Sequence, residues 1–225
     1  MLRIFFFLVA FVAFLVPLPI MAQQASDRLE SPEDEPDAEA IFSGPQIGEE
    51  LPPFIVRGVF GDDAGKELDF VKKADGKPIV LVFVHEMNRP SMGMMRALTT
   101  YTIERRKDGL TTGVVWLTED ATEAENTLQR VKHALTPNVP LGISPDGKEG
   151  PGSYGLNRNM TLTILVGNEG KVTDNFALVQ PSVQADLPKV FEAIVKVAGG
   201  EVPKLADVLG PSAMMRRPAA NEPHP

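Results

Sequence analysis

Residues 77–98 read KPIVLVFVHEMNRPSMGMMRAL, and this stretch decides the fold. Ile79 to Val84 is an unbroken apolar run with no alternation. Such a run describes a strand covered on both faces, as in the interior of a parallel-type sheet. His85 and Glu86 end it with polar groups, as expected where a strand emerges into water. Asn88 then offers a helix N-cap, Pro90 fits a first turn, and Gly109 supplies a C-terminal stop. Met94, Leu98 and Tyr101 fall on one face of that helix, so the unit reads strand, loop, amphipathic helix.

Outward from this unit, strand and helix signals alternate. Thr111 to Thr118, TTGVVWLT, is a second covered strand. Glu119 to Leu135 is the clearest helix: Thr122 with Glu125 fits a capping box. Ala124, Leu128, Val131 and Leu135 line one face, and His133 falls opposite them, toward solvent. Val139 to Ser144 is a short strand signal. Thr161 to Val166 and Lys171 to Val179 flank GNEG as a hairpin. Val183 to Ala198 is amphipathic through Leu187, Val190, Phe191, Ile194 and Val197, and Gly199-Gly200 stops it. Upstream, Phe54 to Phe60 reads as a strand running into the turn cluster GDDAGKE. The order β, β, α, β, α, β, β, α predicts an α/β domain with a central mixed sheet and helices on both faces.

Composition removes whole classes of chemistry. The 225 residues include no Cys and three His. Disulfides, thiolate nucleophiles, Cys-ligated zinc and iron–sulfur clusters are excluded, and a His-dominated metal site is disfavoured. The net charge of −8 is uneven: residues 26–40 carry −6 and residues 41–210 carry −4. With no basic patch in the body, nucleic acid is not an expected partner.

The termini read differently from the body. Met1-Leu2-Arg3, the apolar run IFFFLVAFVAFLV from Ile4 to Val16, and Met21-Ala22 describe a secretory signal, residues 1–22, cleaved before Gln23. A membrane contact is expected only if that segment is retained as an anchor. Residues 23–41 form an acidic linker too poor in apolar residues to fold. Residues 42–210 form the domain, and 211–225 a flexible Pro-rich tail. The protein is therefore expected in a secreted or periplasmic location within the cell envelope, where a Cys-free chain must rely on its core alone.

From about Gly48 to Gly200 the chain resembles the thioredoxin-like superfamily, in its extracytoplasmic thiol–disulfide oxidoreductase and redoxin branch. IGEELPPFIVRGVFGDDAGKELDF resembles that family's opening strand, Gly turn and second short strand. KPIVLVFVHEMNRPSMGMMRAL resembles its central strand, active-site loop and first active-site helix, and MTLTILVGNEGKV its later strand and hairpin. The resemblance implies a three-layer α/β/α fold. It also implies which positions matter. Aligned on Pro90, the two cysteine positions of the family's Cys-Xaa-Pro-Cys loop fall on Asn88 and Ser91, and its cis-proline position falls on Thr161, after Met160.

These departures exclude a dithiol mechanism. The family's reaction needs a thiolate stabilised at a helix N-terminus and a second thiol to resolve the mixed disulfide. Other chemistries at the same edge are weaker. His85 with Glu86 suggests a general base and its orienting group, but strand neighbours point to opposite faces. Ser91 lacks a nucleophile elbow, and Arg89 could meet an anionic group near the helix N-terminus. Met87, Met92, Met94 and Met95 read as core filler or, more sharply, as an adaptable contact surface or a soft-metal site. The expectation is a binding or scaffolding module without thiol redox chemistry or cofactor. Its contact surface would run over His85 to Met95 with Met160-Thr161, and its partner would be another extracytoplasmic protein or peptide. The alternative is a small-molecule enzyme using His85 and Glu86 in the same crevice.

Overall fold

The computed structural model describes residues 41–136 and 138–209. The expected signal at 1–22, the expected linker at 23–41 except residue 41, and the expected tail at 211–225 lie outside the described residues. Seven strands build one sheet: β1 (Val56–Gly58), β2 (Glu67–Leu68), β3 (Ile79–Val84), β4 (Thr111–Trp116), β5 (Leu141–Ile143), β6 (Leu162–Asn168) and β7 (Lys171–Leu178). Their spatial order is β2-β1-β5-β4-β3-β6-β7.

The unbroken apolar run becomes the centre of this sheet. All six residues of β3 are buried. It pairs in parallel with β4, Val82 opposite Val114, and antiparallel with β6, Val82 opposite Ile164. Strand β4 pairs in parallel with β5, and the remaining neighbours pair antiparallel. The sheet is thus mixed, as the sequence pattern implied.

Alternation along β3 separates two cores. Val80, Val82 and Val84 pack with α2 (Arg89–Glu104), α3 (Ala121–Val131) and α4 (Leu187–Ala198). Ile79, Leu81 and Phe83 face the other layer, with α1 (Phe70–Ala74), Phe54 and Tyr154. There the ring centroids of Phe54 and Phe83 lie 5.0 and 5.1 Å from that of Tyr154. Gly113 lets this second layer come close, since a Cβ there would collide with the Phe70 ring. A final helix, α5 (Leu205–Leu209), lays Leu205, Val208 and Leu209 against the first core.

Arg105 ties two helix ends together. Its Nη2 donates to the carbonyls of Ala198 and Gly199 at 3.1 and 2.6 Å, and its Nη1 to the Tyr101 hydroxyl at 3.0 Å. Carbonyls at the end of α4 that no helical N–H reaches are satisfied in this way.

Three expectations need correction. The cap of α3 is Asp120, whose Oδ1 accepts from Glu123 N–H at 2.8 Å, and not Thr122. Asp caps better than Thr, and the helix accordingly starts at Ala121. The order above allows three strands before the hairpin and five precede it: it omits β2, and also β5, although Val139 to Ser144 carries its strand signal. Finally, α4 begins at Leu187 and not Val183, because Ser182 N–H donates to Asp186 Oδ2 at 2.8 Å and holds a turn ahead of it.

Candidate functional site

Where β3 ends, its backbone is stitched to Thr161. His85 N–H and Glu86 N–H both donate to the Thr161 carbonyl, at 3.0 and 3.3 Å. Thr161 N–H donates to the Leu178 carbonyl at 2.9 Å, and its hydroxyl to the Val179 carbonyl at 2.8 Å. Thr161 and Met160 are both buried. Thr161, which the resemblance aligns with the family's cis-proline position, therefore has its polar groups all spent inside the protein.

Asn88 and Ser91, which the resemblance aligns with the two cysteine positions, form a reciprocal cap. Asn88 Oδ1 accepts from Ser91 N–H at 3.0 Å, while Ser91 Oγ accepts from Asn88 N–H at 2.9 Å. The Ser91 hydroxyl also lies 2.6 Å from the Glu86 carbonyl and 2.9 Å from that of Asn88, either of which can take its proton. This is a capping box built from Asn and Ser, closing two orphan donors of α2 at once. Ser91 is 0% exposed, so it is out of reach of any substrate. Pro90 sits beside it in the first turn, where its missing N–H costs nothing.

His85 and Glu86 do not assemble into an acid–base pair. His85 Nε2 lies 3.0 Å from Thr163 Oγ1, which lies 2.6 Å from Ser43 Oγ; that oxygen accepts from Asn157 N–H at 3.0 Å. Burial lowers the His85 pKa to about 4, so the imidazole is neutral at neutral pH. Its Nδ1 is buried without a hydrogen-bond partner among the described residues. Glu86 is exposed and turns the other way, accepting from Asn88 Nδ2 at 3.2 Å. Sequence reasoning misses Ser43, Asn157 and Thr163; each is distant from His85 along the chain, and nothing in the local pattern joins them.

The outer surface of this edge is small. Glu86, Arg89 and Pro90 are exposed, and Met87, Asn88 and Met92 are half-buried. Met94 and Met95 belong to the core, so only half of the methionine set can contribute to a surface. Among the described residues, no group of three His, Asp or Glu could hold a metal ion. Two clefts stand out among the described residues, and neither includes a residue of this edge.

No family model matches the chain, and no curated protein matches it in sequence. Solved structures do match its fold. One is a candidate thiol:disulfide interchange protein DsbE from Chlorobium tepidum, at 18% identity and a TM-score of 0.53, covering 69% of this chain and 99% of that one. Another is a candidate protein disulfide isomerase from Bacteroides thetaiotaomicron, at 20% identity and a TM-score of 0.52, covering 69% and 95%. A third, a hypothetical protein from Sinorhizobium meliloti 1021, has 14% identity and a TM-score of 0.50, covering 73% and 89%. The chain therefore has the thioredoxin-like fold, with a mixed sheet between helical layers, and no cysteine with which to run that fold's thiol chemistry.

Proposed function

We propose that this protein is an extracytoplasmic binding or scaffolding module that uses the degenerate edge of a thioredoxin-like domain and performs no thiol redox reaction. The observation that carries the proposal is the Asn88–Ser91 capping box. It keeps the strand–turn–helix geometry that holds the redox turn in enzymes of this fold, while using both former thiol positions for structure. Glu86, Arg89 and Pro90 remain outside on a rigid helix start, with Met87 and Met92 partly accessible beneath them. A fixed turn with one acid, one cation and adaptable thioether side chains suits a peptide or protein partner, and no cofactor is called for. The charged, apolar and small-residue pattern of residues 1–22 supports an envelope location.

A photo-crosslinking amino acid placed at Arg89 and, as a control, at Lys189 on α4 tests this in the native envelope. The expected result is one discrete adduct from position 89 and none from 189. Purified protein should also show no disulfide reductase or thiol peroxidase turnover above buffer. Equal, diffuse crosslinking from both positions would remove the support for this edge, and turnover surviving repurification would overturn the redox-inactive reading.

A further inference from the structure

Ahead of β1, residues 42–51 lie as a strap along β6 and β7. Ser43 Oγ is 2.6 Å from Thr163 Oγ1 on β6 and accepts from Asn157 N–H at 3.0 Å. From β7, the Asn175 side-chain amide donates to the Ser43 and Pro45 carbonyls at 2.9 and 2.8 Å. Gly44 N–H donates to the Gly155 carbonyl at 3.3 Å. Farther on, Gly48 N–H donates to the Val172 carbonyl and Val172 N–H to that of Glu49, at 2.8 and 2.9 Å.

These contacts read the sequence Ser43-Gly44-Pro45. The two buried hydroxyls fit a small polar residue at 43. Gly44 has φ +80°, and a Cβ there would lie 3.4 Å from Leu156 Cδ2 and 3.6 Å from both Leu165 methyls, so backbone and space both select glycine. Pro45 is buried beside it. The Asn175 amide has two N–H donors and spends them on main-chain carbonyls, which fixes the path of the segment.

The strap is nonetheless held with little apolar burial. Between residues 41 and 50 only Ser43 and Pro45 are buried, while Ile41, Phe42 and Ile47 are 54, 64 and 70% exposed. Hydrogen bonds exchanged for water contribute less, net, than burial of such large side chains would. A segment attached in this way belongs to the part of a fold that opens locally while the core stays closed.

We infer that the surface between Thr163, Asn175 and Gly155 is a recognition groove for a Ser-Gly-Pro segment, filled here in cis by residues 43–45, and that the strap opens to exchange with that of a second copy of this chain. A second copy fits by construction, since its strap has the sequence the groove selects and would remake the same contacts. The groove meets the Asn88–Ser91 edge only through the Thr163–His85 contact, and the inference does not depend on the function proposed for that edge.

Because the chain has no cysteine, single thiols report the exchange without background. Ser43→Cys in one full-length chain and Thr163→Cys in another place sulfurs at the two positions whose hydroxyls pair. Mixed in equal amounts under mild oxidation, they should join as a disulfide-linked heterodimer about tenfold more abundant than either homodimer. Asn175→Leu added to the Thr163→Cys chain should cut that yield about tenfold, since two hydrogen bonds to the strap are lost. In the wild type, hydrogen exchange should be about a hundredfold or more faster at the Gly44 and Gly48 amides than at Val80 and Val82 in β3, a reading that needs no variant to fold. No heterodimer, a heterodimer no more abundant than the homodimers, a yield unmoved by Asn175→Leu, or strap amides as slow as those of β3 would overturn the inference.

Discussion

At the carboxyl end of β3, the Ser91 hydroxyl is fully buried and held by Asn88 N–H and two carbonyls. At the amino end of the neighbouring strand β4, the Thr112 hydroxyl is buried to nearly the same degree, and nothing among the described residues holds it. The first end is where α/β folds ordinarily keep their chemistry. Here it is closed, its turn residues absorbed into a helix cap and Thr161 into the sheet. The second end is ordinarily structural, yet it holds the larger of the two clefts. The comparison teaches that two ends of one sheet can bury a hydroxyl to nearly the same degree and differ in whether it is held. Hydrogen-bond satisfaction, more than position in the fold, tells the two conditions apart. His85 is the exception at the first end, with one ring nitrogen unpartnered among the described residues.

The sharpest way to break this comparison is to make the same kind of deletion at both ends. Ser91→Ala leaves Asn88 N–H buried without its acceptor and opens the capping box. Chemical denaturation should show a loss of about 2–3 kcal/mol. A loss within error of zero would mean that the box seen at this turn contributes nothing to the fold.

The next effect comes from His85. Its pKa is about 4 in the folded protein and 6.5 ordinarily, so between those values the unfolded chain binds more protons. Stability should therefore be full above about pH 6.5, fall as pH drops toward 4, and stop falling on this account below that. Allowing for the imidazole's partial exposure, the wild type should lose about 2 kcal/mol more than His85→Gln across that window. Parallel curves for the two proteins would show that His85 is not held neutral by burial.

Thr112→Val should give the smallest effect and the opposite sign to Ser91→Ala, a gain of up to about 1 kcal/mol, because no bond is lost and a desolvated hydroxyl is removed. A destabilisation comparable to that of Ser91→Ala would reveal a partner for the hydroxyl in solution and erase the contrast between the two ends.

The sheet was legible because its evidence is local and strong. The apolar run of β3, the GNEG hairpin and the helical spacing of Leu128 and Phe191 each occupy a short window and admit few alternatives. Asn88 was legible as a cap for the same reason. Ser91 was not, because the usual capping partner three residues on is Glu or Gln, and a serine there carries no such signal. At α3 two registers fit the cap pattern, Asp120 with Glu123 and Thr122 with Glu125, and only the backbone decides between them. The Ser43–Thr163–His85 chain was out of reach, since its members meet only through the sheet. The larger cleft was equally hidden: its wall is drawn from the β1–β2 turn, three helix ends and the start of β4. Thr112 itself reads as an ordinary β-branched strand residue until its surroundings are known.

The central claim is that Asn88 and Ser91 occupy the positions where this fold carries its two thiols and now serve as a cap. The double change Asn88→Cys, Ser91→Cys tests it most directly, read by mass spectrometry under mild oxidation with circular dichroism to follow the fold. Residues three apart in the opening turn of a helix lie within the Cα separation a disulfide needs, roughly 4.4–6.8 Å. The expected result is a monomer that loses the mass of two hydrogens and keeps its fold. In its reduced form, the thiol introduced at position 88 should ionise more readily than a free one, because the helix N-terminus favours the anion. Thiols that stay reduced, or that pair only between molecules, would contradict the claim.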